Sequence, residues 1–130
     1  MSTNYSVVVE SFAERHFIKK FKKKYKKAWD VTQDSLINEF QRMEALSETD
    51  VDVISERDEI RIIKTDFRVA GMNKSKKGSG NRCIIAVHRD IKMVRILLVY
   101  HKNDLFGNGN ETAKWKKVVR ENYGDYEEMV

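Results

Sequence analysis

The chain has 130 residues, of which 41% are hydrophobic and 35% are charged, and it contains no proline. This length predicts one domain over residues 1–130, with enough apolar residues for a hydrophobic core. No apolar run approaches the roughly 20 residues of a membrane-spanning helix, and the N-terminus lacks the pattern of a secretion signal. The single Cys83 excludes an intrachain disulfide and an all-cysteine zinc site. We therefore expect a protein of the reducing cytoplasm that does not contact a membrane.

The charges are distributed unevenly along the chain. Residues 1–30 carry a net charge of +5, residues 31–59 carry −7, residues 60–102 carry +9 and residues 103–130 carry −2. This segregation indicates a polyanionic partner for the basic segments, or an acidic protein that covers them.

The first third of the chain is predicted to form a strand and two helices. β-branched residues favour a strand over 5–11, and apolar residues at helical spacing predict a helix over 12–29. Seven lysines between positions 19 and 27 lie on the outer face of that helix. Asp30 and Thr32 are both candidate N-caps for a second helix. Because the connection is short, the two helices should form an antiparallel hairpin.

The remaining residues are predicted to form mainly strands. Residues 44–58 are acidic and weakly patterned, which predicts a loop with a short strand near 51–54. The glycine- and lysine-rich stretch 71–81 predicts a flexible loop, and the acidic tail 124–130 is expected to be loose. Further strands are predicted over 59–64, 82–88 and 93–100, and a closing helix over 112–123.

This order of elements predicts an α+β domain with a small, mostly antiparallel sheet of four or five strands. The N-terminal helical hairpin and the C-terminal helix are expected on one face of the sheet. The strand over 93–100 is nearly all apolar and is expected at the sheet centre. It should pair in a hairpin with the strand over 82–88, because only four residues connect the two.

The most informative chemistry lies between residues 73 and 104. The loop Lys74-Ser-Lys-Lys-Gly-Ser-Gly leads to Arg82 at the start of one strand, and the partner strand ends in Tyr100-His101-Lys102. The predicted hairpin brings these side chains to the same end of the sheet. A guanidinium group binds phosphate through a bidentate fork, and an imidazole transfers protons near neutral pH. RNA cleavage by attack of a 2′-hydroxyl on the adjacent phosphate needs these two functions and no cofactor or metal.

Here the sequence resembles the RelE/ParE superfamily of bacterial toxins, and within it the HigB/RelE-type branch. The resemblance is sharpest over residues 74–85 and 95–104, where a basic glycine loop precedes an Arg-led strand and a later strand ends in an aromatic residue, His101 and Lys-Asn-Asp. It implies a RelE-like fold and a toxin that cleaves mRNA in the ribosome. It also implies a cognate antitoxin, expected to be a helix-turn-helix protein.

The resemblance also implies roles for individual residues. Arg82 and Lys102 would stabilise the scissile phosphate, and His101 or Tyr100 would transfer protons, with the choice between the two left open. Residues expected to bind RNA are Lys74, Lys76, Lys77, Arg61, Lys64, Lys22, Lys23 and Lys26. Residues 105–110 lack the basic residue or tyrosine that relatives often return to the site, so Tyr123 or Tyr126 would have to serve.

Some of the same residues also have simpler structural interpretations. Arg82 can form a salt bridge at the start of a strand, and the lysine run 19–27 can be a solvated helix face. Two other functions also remain open. One is a ParE-type inhibitor of DNA gyrase, and the other is an RNA-binding relative without catalytic activity.

Overall fold

The computed structural model describes residues 4–45 and 51–130. Its strands are β1 (Ser6–Val9), β2 (Asp52–Arg57), β3 (Ile60–Phe67), β4 (Asn81–His88) and β5 (Met93–His101). They form one five-stranded sheet in the order β1-β5-β4-β3-β2. The β1–β5 pair is parallel and the other three pairs are antiparallel. This confirms the predicted α+β fold with a small, mostly antiparallel sheet.

The helical segments precede and follow the main run of strands. They are α1 (Ser11–Ala13), a π-helical turn (Glu14–Ile18), α2 (Lys19–Tyr25), α3 (Lys27–Gln41), α4 (Glu111–Asn122) and two 3-10 segments, Met43–Ala45 and Gly124–Met129. Among the described residues, no helix has both the length and the apolar composition that crossing a membrane requires.

The helices cover both faces of the sheet, so the prediction that they share one face is wrong. The segments from α1 to α3 pack with Ile85 and Val87 of β4 in one buried cluster. On the opposite face, α4 and the C-terminal 3-10 helix pack with Ile84 and Ala86. The physical reason lies in β4, whose first seven residues are all buried. A strand that is apolar on both sides needs a cover on each.

The first predicted helix is interrupted near its end. Lys26 has a φ of +52° and separates α2 from α3, so Trp29 belongs to the second helix. Neither Asp30 nor Thr32 is its N-cap, because both lie inside α3. Lys26 carries none of the usual sequence signals for a helix break, namely glycine, proline or a short polar cap. The helices still return the chain to β1, where Tyr5 N donates to Gln41 O at 2.8 Å.

Two segments predicted to be irregular are ordered. β2 continues through Arg57, so the second half of the predicted loop over 44–58 is a strand; residues 46–50 lie outside the described part of the chain. The acidic tail is also structured, because Tyr126 is fully buried under the sheet. Met129 and Val130 also pack against the buried cluster that contains Tyr126, but a segment of seven residues is too short for its apolar spacing to give a clear periodic signal, which explains the missed prediction.

The β4–β5 hairpin forms as predicted, with one irregularity. β4 occupies the middle of the sheet, and β5 lies next to it rather than at the centre. Ile84 pairs with Leu98 but Ile85 pairs with Ile96, so Leu97 is the extra residue of a β-bulge. Leu97 and Leu98 consequently belong to the same buried cluster. From Leu98 onward the alternation of β5 is reversed.

The C-terminal segment is attached to the sheet by a polar cluster around Tyr126. The Tyr126 hydroxyl lies 2.6 Å from His88 Nε2 and accepts a hydrogen bond from Arg95 at 2.6 Å. Arg95 also forms ion pairs with Glu10 and Asp125. These contacts connect the C-terminal 3-10 helix to β4, β5 and the residue that follows β1.

We expect the change Tyr126→Ala to lower the free energy of unfolding by about 3–5 kcal/mol, the usual range for truncating a buried aromatic side chain. Denaturant unfolding followed by circular dichroism measures this loss. The neighbouring Glu127 is exposed, so Glu127→Ala is the matched control, with an expected change within about 0.5 kcal/mol. Equal losses in both variants would show that Tyr126 does not anchor the tail.

The stability of the fold should also depend on the protonation of His88. Burial and the positive charge of Arg95 lower the pKa of His88 below 6.5, although Asp90 and Asp125 oppose the shift. The unfolded chain then binds this proton more readily than the folded chain, so the free energy of unfolding falls as the pH drops below 6.5. Urea unfolding at about pH 7.5 and at about pH 5.5 measures the free energy of unfolding above and below this pH. In His88→Gln the free energy of unfolding should fall less over this pH range than it does in the wild type. An equal fall in the two proteins would rule out the contribution of His88.

Candidate functional site

Five polar side chains meet at one end of the sheet, on the face that α4 covers. Cross-strand pairing places Asp66 opposite Arg82, and Arg82 opposite Tyr100. Lys64 lies two residues before Asp66, so both project from the same face of β3. Glu111 reaches the same place from the first turn of α4. The result is a mixed cluster of two cations, two carboxylates and a phenol.

Glu111 is the residue on which this cluster converges. Its Oε2 accepts a hydrogen bond from the Tyr100 hydroxyl at 2.8 Å and lies 2.8 Å from Lys64 Nζ. Arg82 Nε is 4.0 Å from the same oxygen. The position of Glu111 follows from the N-cap of α4, where the Asn110 side chain accepts a hydrogen bond from the Ala113 N–H.

All three guanidinium nitrogens of Arg82 have partners in the structure. Its side chain is only 9% exposed, and its Nε forms an ion pair with Asp66 at 3.1 Å. Its two terminal nitrogens donate to the carbonyl oxygens of Asn81 and Lys77, at 3.1 and 3.3 Å. The salt-bridge interpretation of Arg82 therefore describes the structure, and the same residue holds the basic loop against β4.

The surroundings determine the protonation of the cluster. Burial alone would raise the pKa of Glu111, but hydrogen bonds from Lys64 and Tyr100 and the charges of Lys64 and Arg82 outweigh it and lower the pKa. Burial, followed by the hydrogen bond to Glu111, raises the pKa of Tyr100. At neutral pH the cluster therefore holds an ionised carboxylate beside a protonated phenol.

The loop between β3 and β4 is held by internal hydrogen bonds. The buried Ser79 places its Oγ 2.6 Å from both Phe67 O and Lys76 O, and it accepts from Asn81 N at 3.0 Å. The residue after Ser79, Gly80, accepts a hydrogen bond at its carbonyl oxygen from Lys102 N at 2.8 Å. These bonds fix the backbone that carries the loop lysines beside the end of β5.

The four residues predicted to be catalytic lie on different surfaces. Arg82 and Tyr100 belong to the cluster around Glu111. His101 pairs with Asn81 on the opposite face, because neighbouring strand residues alternate between faces. Lys102 follows β5 and is exposed. The sequence therefore predicted that these residues lie at the same end of the sheet, as they do, but it did not separate the two faces.

The residues predicted to bind RNA are also spread over several surfaces. Lys64 is bound to Glu111, and Arg61 lies 3.1 Å from Glu56. Lys22 forms an ion pair with Glu14. The remaining side chains are exposed on the 74–80 loop or near the end of α2, and they are Lys74, Lys76, Lys77, Lys23 and Lys26.

The sequence analysis missed two carboxylates of the cluster, Asp66 and Glu111. Asn110 followed by an acidic residue at a helix start was the available signal for Glu111. Tyr123 and Tyr126, considered as returning tyrosines, lie elsewhere. Tyr123 donates to Leu97 O, and Tyr126 contacts His88 at the opposite end of β4 from Arg82.

A pocket of about 250 Å³ lies on the other face at the same end of the sheet. Asn81 and His101 line it from the strands, and α2 contributes Lys20 and Lys24. His101 Nδ1 accepts a hydrogen bond from Asn103 N at 3.1 Å, which leaves Nε2 to carry the proton of the neutral ring. His101 packs closely on Gly80, where an added Cβ would lie 2.5 Å from Nε2.

The change Gly80→Ala should destabilise the protein and disturb His101. Gly80 has a φ of +79°, so alanine is expected to cost at least about 1–2 kcal/mol in addition to the displacement of the imidazole. Denaturant unfolding, with the His101 ring signals followed by NMR, measures both effects. Gly124→Ala is the matched control, because an added Cβ there meets nothing within 4 Å. Equal stability of the two variants would contradict the close packing.

Comparison with known proteins gives no match for this chain. Its sequence matches no protein-family model and no curated protein, and no solved structure matches it. A function for the protein therefore depends on the chemistry of its own residues.

Proposed function

We propose that the protein is an RNA endonuclease, in which Glu111 activates the ribose 2′-hydroxyl for attack on the adjacent phosphate. The observation that carries this proposal is the convergence of Tyr100, Lys64 and Arg82 on one ionised carboxylate, whose side chain is 24% exposed. A carboxylate base next to fixed positive charge is a suitable arrangement for metal-independent phosphodiester cleavage.

In this reaction Glu111 accepts the proton of the 2′-hydroxyl, and the 2′-oxygen bonds to phosphorus as the bond to the 5′-oxygen breaks. The leaving oxygen takes a proton, which we assign to the Tyr100 hydroxyl, 2.8 Å from Glu111 Oε2. Lys64 offsets the charge that develops on the phosphate oxygens. The products are a 2′,3′-cyclic phosphate and a 5′-hydroxyl.

Arg82 acts in this proposal as a positioning residue. It is nearly buried, and its nitrogens already contact Asp66, Asn81 O and Lys77 O. It supplies positive charge near Glu111 and holds the loop on which Lys74, Lys76 and Lys77 are exposed. Those lysines are the proposed contacts to the RNA backbone, where each phosphate contact adds affinity that falls with salt.

The biological setting is proposed from the resemblance described above. The protein would be the toxin of a toxin–antitoxin pair and would cleave mRNA on the ribosome in the cytoplasm. The segregation of charge along the chain is compatible with this, because the basic segment 60–102 includes β3, the loop, β4 and β5. A cognate antitoxin would need to cover that basic surface in the inactive pair.

The first test is the change Glu111→Gln, which keeps the shape of the side chain and removes the base. We expect the cleavage rate of an mRNA fragment to fall about 10²–10⁴-fold, the usual contribution of a general base. Glu121→Gln is the matched control, because Glu121 lies on the same helix in an exposed pair with Lys117. Wild-type products should carry 2′,3′-cyclic phosphates. Products with 3′-hydroxyl ends would refute the mechanism, and so would full cleavage activity of Glu111→Gln.

The second test separates the biological settings. Wild-type protein or Glu111→Gln is expressed briefly in bacterial cells, and cut sites are mapped by primer extension. Cuts confined to translated codons, and lost in the variant, are the expected result. Intact mRNA in arrested cells would favour the gyrase-inhibiting alternative, and intact mRNA in growing cells would favour RNA binding without cleavage.

A further inference from the structure

The pocket between α2 and the ends of β4 and β5 contains an unsatisfied polar group. Asn81 is 1% exposed, and its Nδ2 has no hydrogen-bond partner among the described residues. Buried amide groups in folded proteins nearly always have a partner, so an orphan donor needs an explanation. Asn81 lines the pocket, but its Nδ2 is shielded there, so a bound molecule can supply the missing acceptor once the Asn81 side chain turns toward it.

The rest of the pocket defines the chemistry of that molecule. Two aromatic residues, Phe21 and Tyr25, and two lysines, Lys20 and Lys24, also line it. Outside it, Phe106 is 87% exposed, and its ring centre lies 5.8 Å from Lys20 Nζ. Aromatic surface favours a flat ring, whereas paired cations favour a phosphate.

We propose that this pocket binds one nucleotide, whose base accepts a hydrogen bond from Asn81 and whose phosphate contacts Lys20 and Lys24. Its volume of about 250 Å³ lies just below the roughly 300–1,000 Å³ of typical small-molecule sites, which suits a single nucleotide rather than a longer ligand. Asp104 also lines the pocket and can accept a hydrogen bond from an amino group on the base. An RNA strand and a free nucleotide present the same chemistry.

This site is separate from the proposed cleavage site. Asn81 and Arg82 are neighbours on β4 but project from opposite faces of the sheet, so the pocket and the Glu111 cluster do not share a side chain. Nucleotide binding therefore does not depend on cleavage. The Glu111→Gln protein should bind nucleotide as the wild type does, and the two proposals can fail independently.

The test uses ¹⁵N-labelled full-length protein titrated with each of the four ribonucleoside 5′-monophosphates, with inorganic phosphate, and with a short single-stranded RNA. The Asn81 side-chain amide signal, assigned by its loss in Asn81→Ala, should shift with nucleotide and not with phosphate. A shift with both RNA and monophosphate identifies a site for free nucleotide, and a shift with RNA alone identifies the strand as the ligand.

Variants test which residues bind the ligand. We expect Asn81→Ala and Lys20→Ala each to weaken nucleotide binding about tenfold, the effect of losing one good hydrogen bond or ionic contact. Lys19→Ala is the matched control, because Lys19 is exposed on the same helix and does not line the pocket. Lys20→Ala is a surface change, so the test does not depend on the folding of Asn81→Ala.

Three results would overturn the proposal. One is an equal response of the Asn81 amide to phosphate and to nucleotide, which would show an anion site without base recognition. Another is equal weakening by Lys19→Ala and Lys20→Ala, which would show general electrostatic attraction. The last is the absence of any shift with either monophosphate or RNA.

Discussion

The β-bulge at Leu97 determines the arrangement of both sites. Without it, the register at the β4–β5 turn, where His88 pairs with Met93, would bring Val99 opposite Arg82. The extra residue shifts the pairing by one, so that Tyr100 faces Arg82 and His101 faces Asn81. Since a one-residue shift moves every following side chain to the other face of the sheet, this bulge places the phenol on the α4 face and the imidazole on the α2 face.

The polar cluster around Glu111 contains the ion pairs that offset its buried charges and also the groups of the proposed reaction. Two cations and two carboxylates balance one another, so in the proposed reaction the phosphate must compete with internal ion pairs. Burying charge is costly unless it is paired, and the pairs recover part of that cost. The fixed positions of Lys64 and Tyr100 also mean that little reorganisation is needed around Glu111. Such preorganisation is the usual origin of electrostatic stabilisation in enzymes.

The two faces at this end of the sheet have different characters. The α4 side carries paired charges and an ionised carboxylate, and the α2 side carries a pocket with aromatic rings, lysines and an orphan amide. The 74–80 loop and Lys102 lie at the rim, joined by the bond from Lys102 N to Gly80 O. In the proposed function, an RNA strand that crossed this rim would meet the proposed nucleotide pocket on one side and Glu111 on the other.

The sequence alone determined the fold class, the strands β3 to β5 and the hairpin that brings Arg82 and Tyr100 to one end of the sheet. These features depend on local periodicity, turn chemistry and composition, which act over a few neighbouring residues. Only the tertiary structure decided that α4 covers the second face, that Lys26 breaks the helix, and that Glu111 joins Lys64 and Tyr100. Those outcomes depend on packing between distant segments and on one bulge, because a single extra residue reverses the faces of a strand without changing its composition.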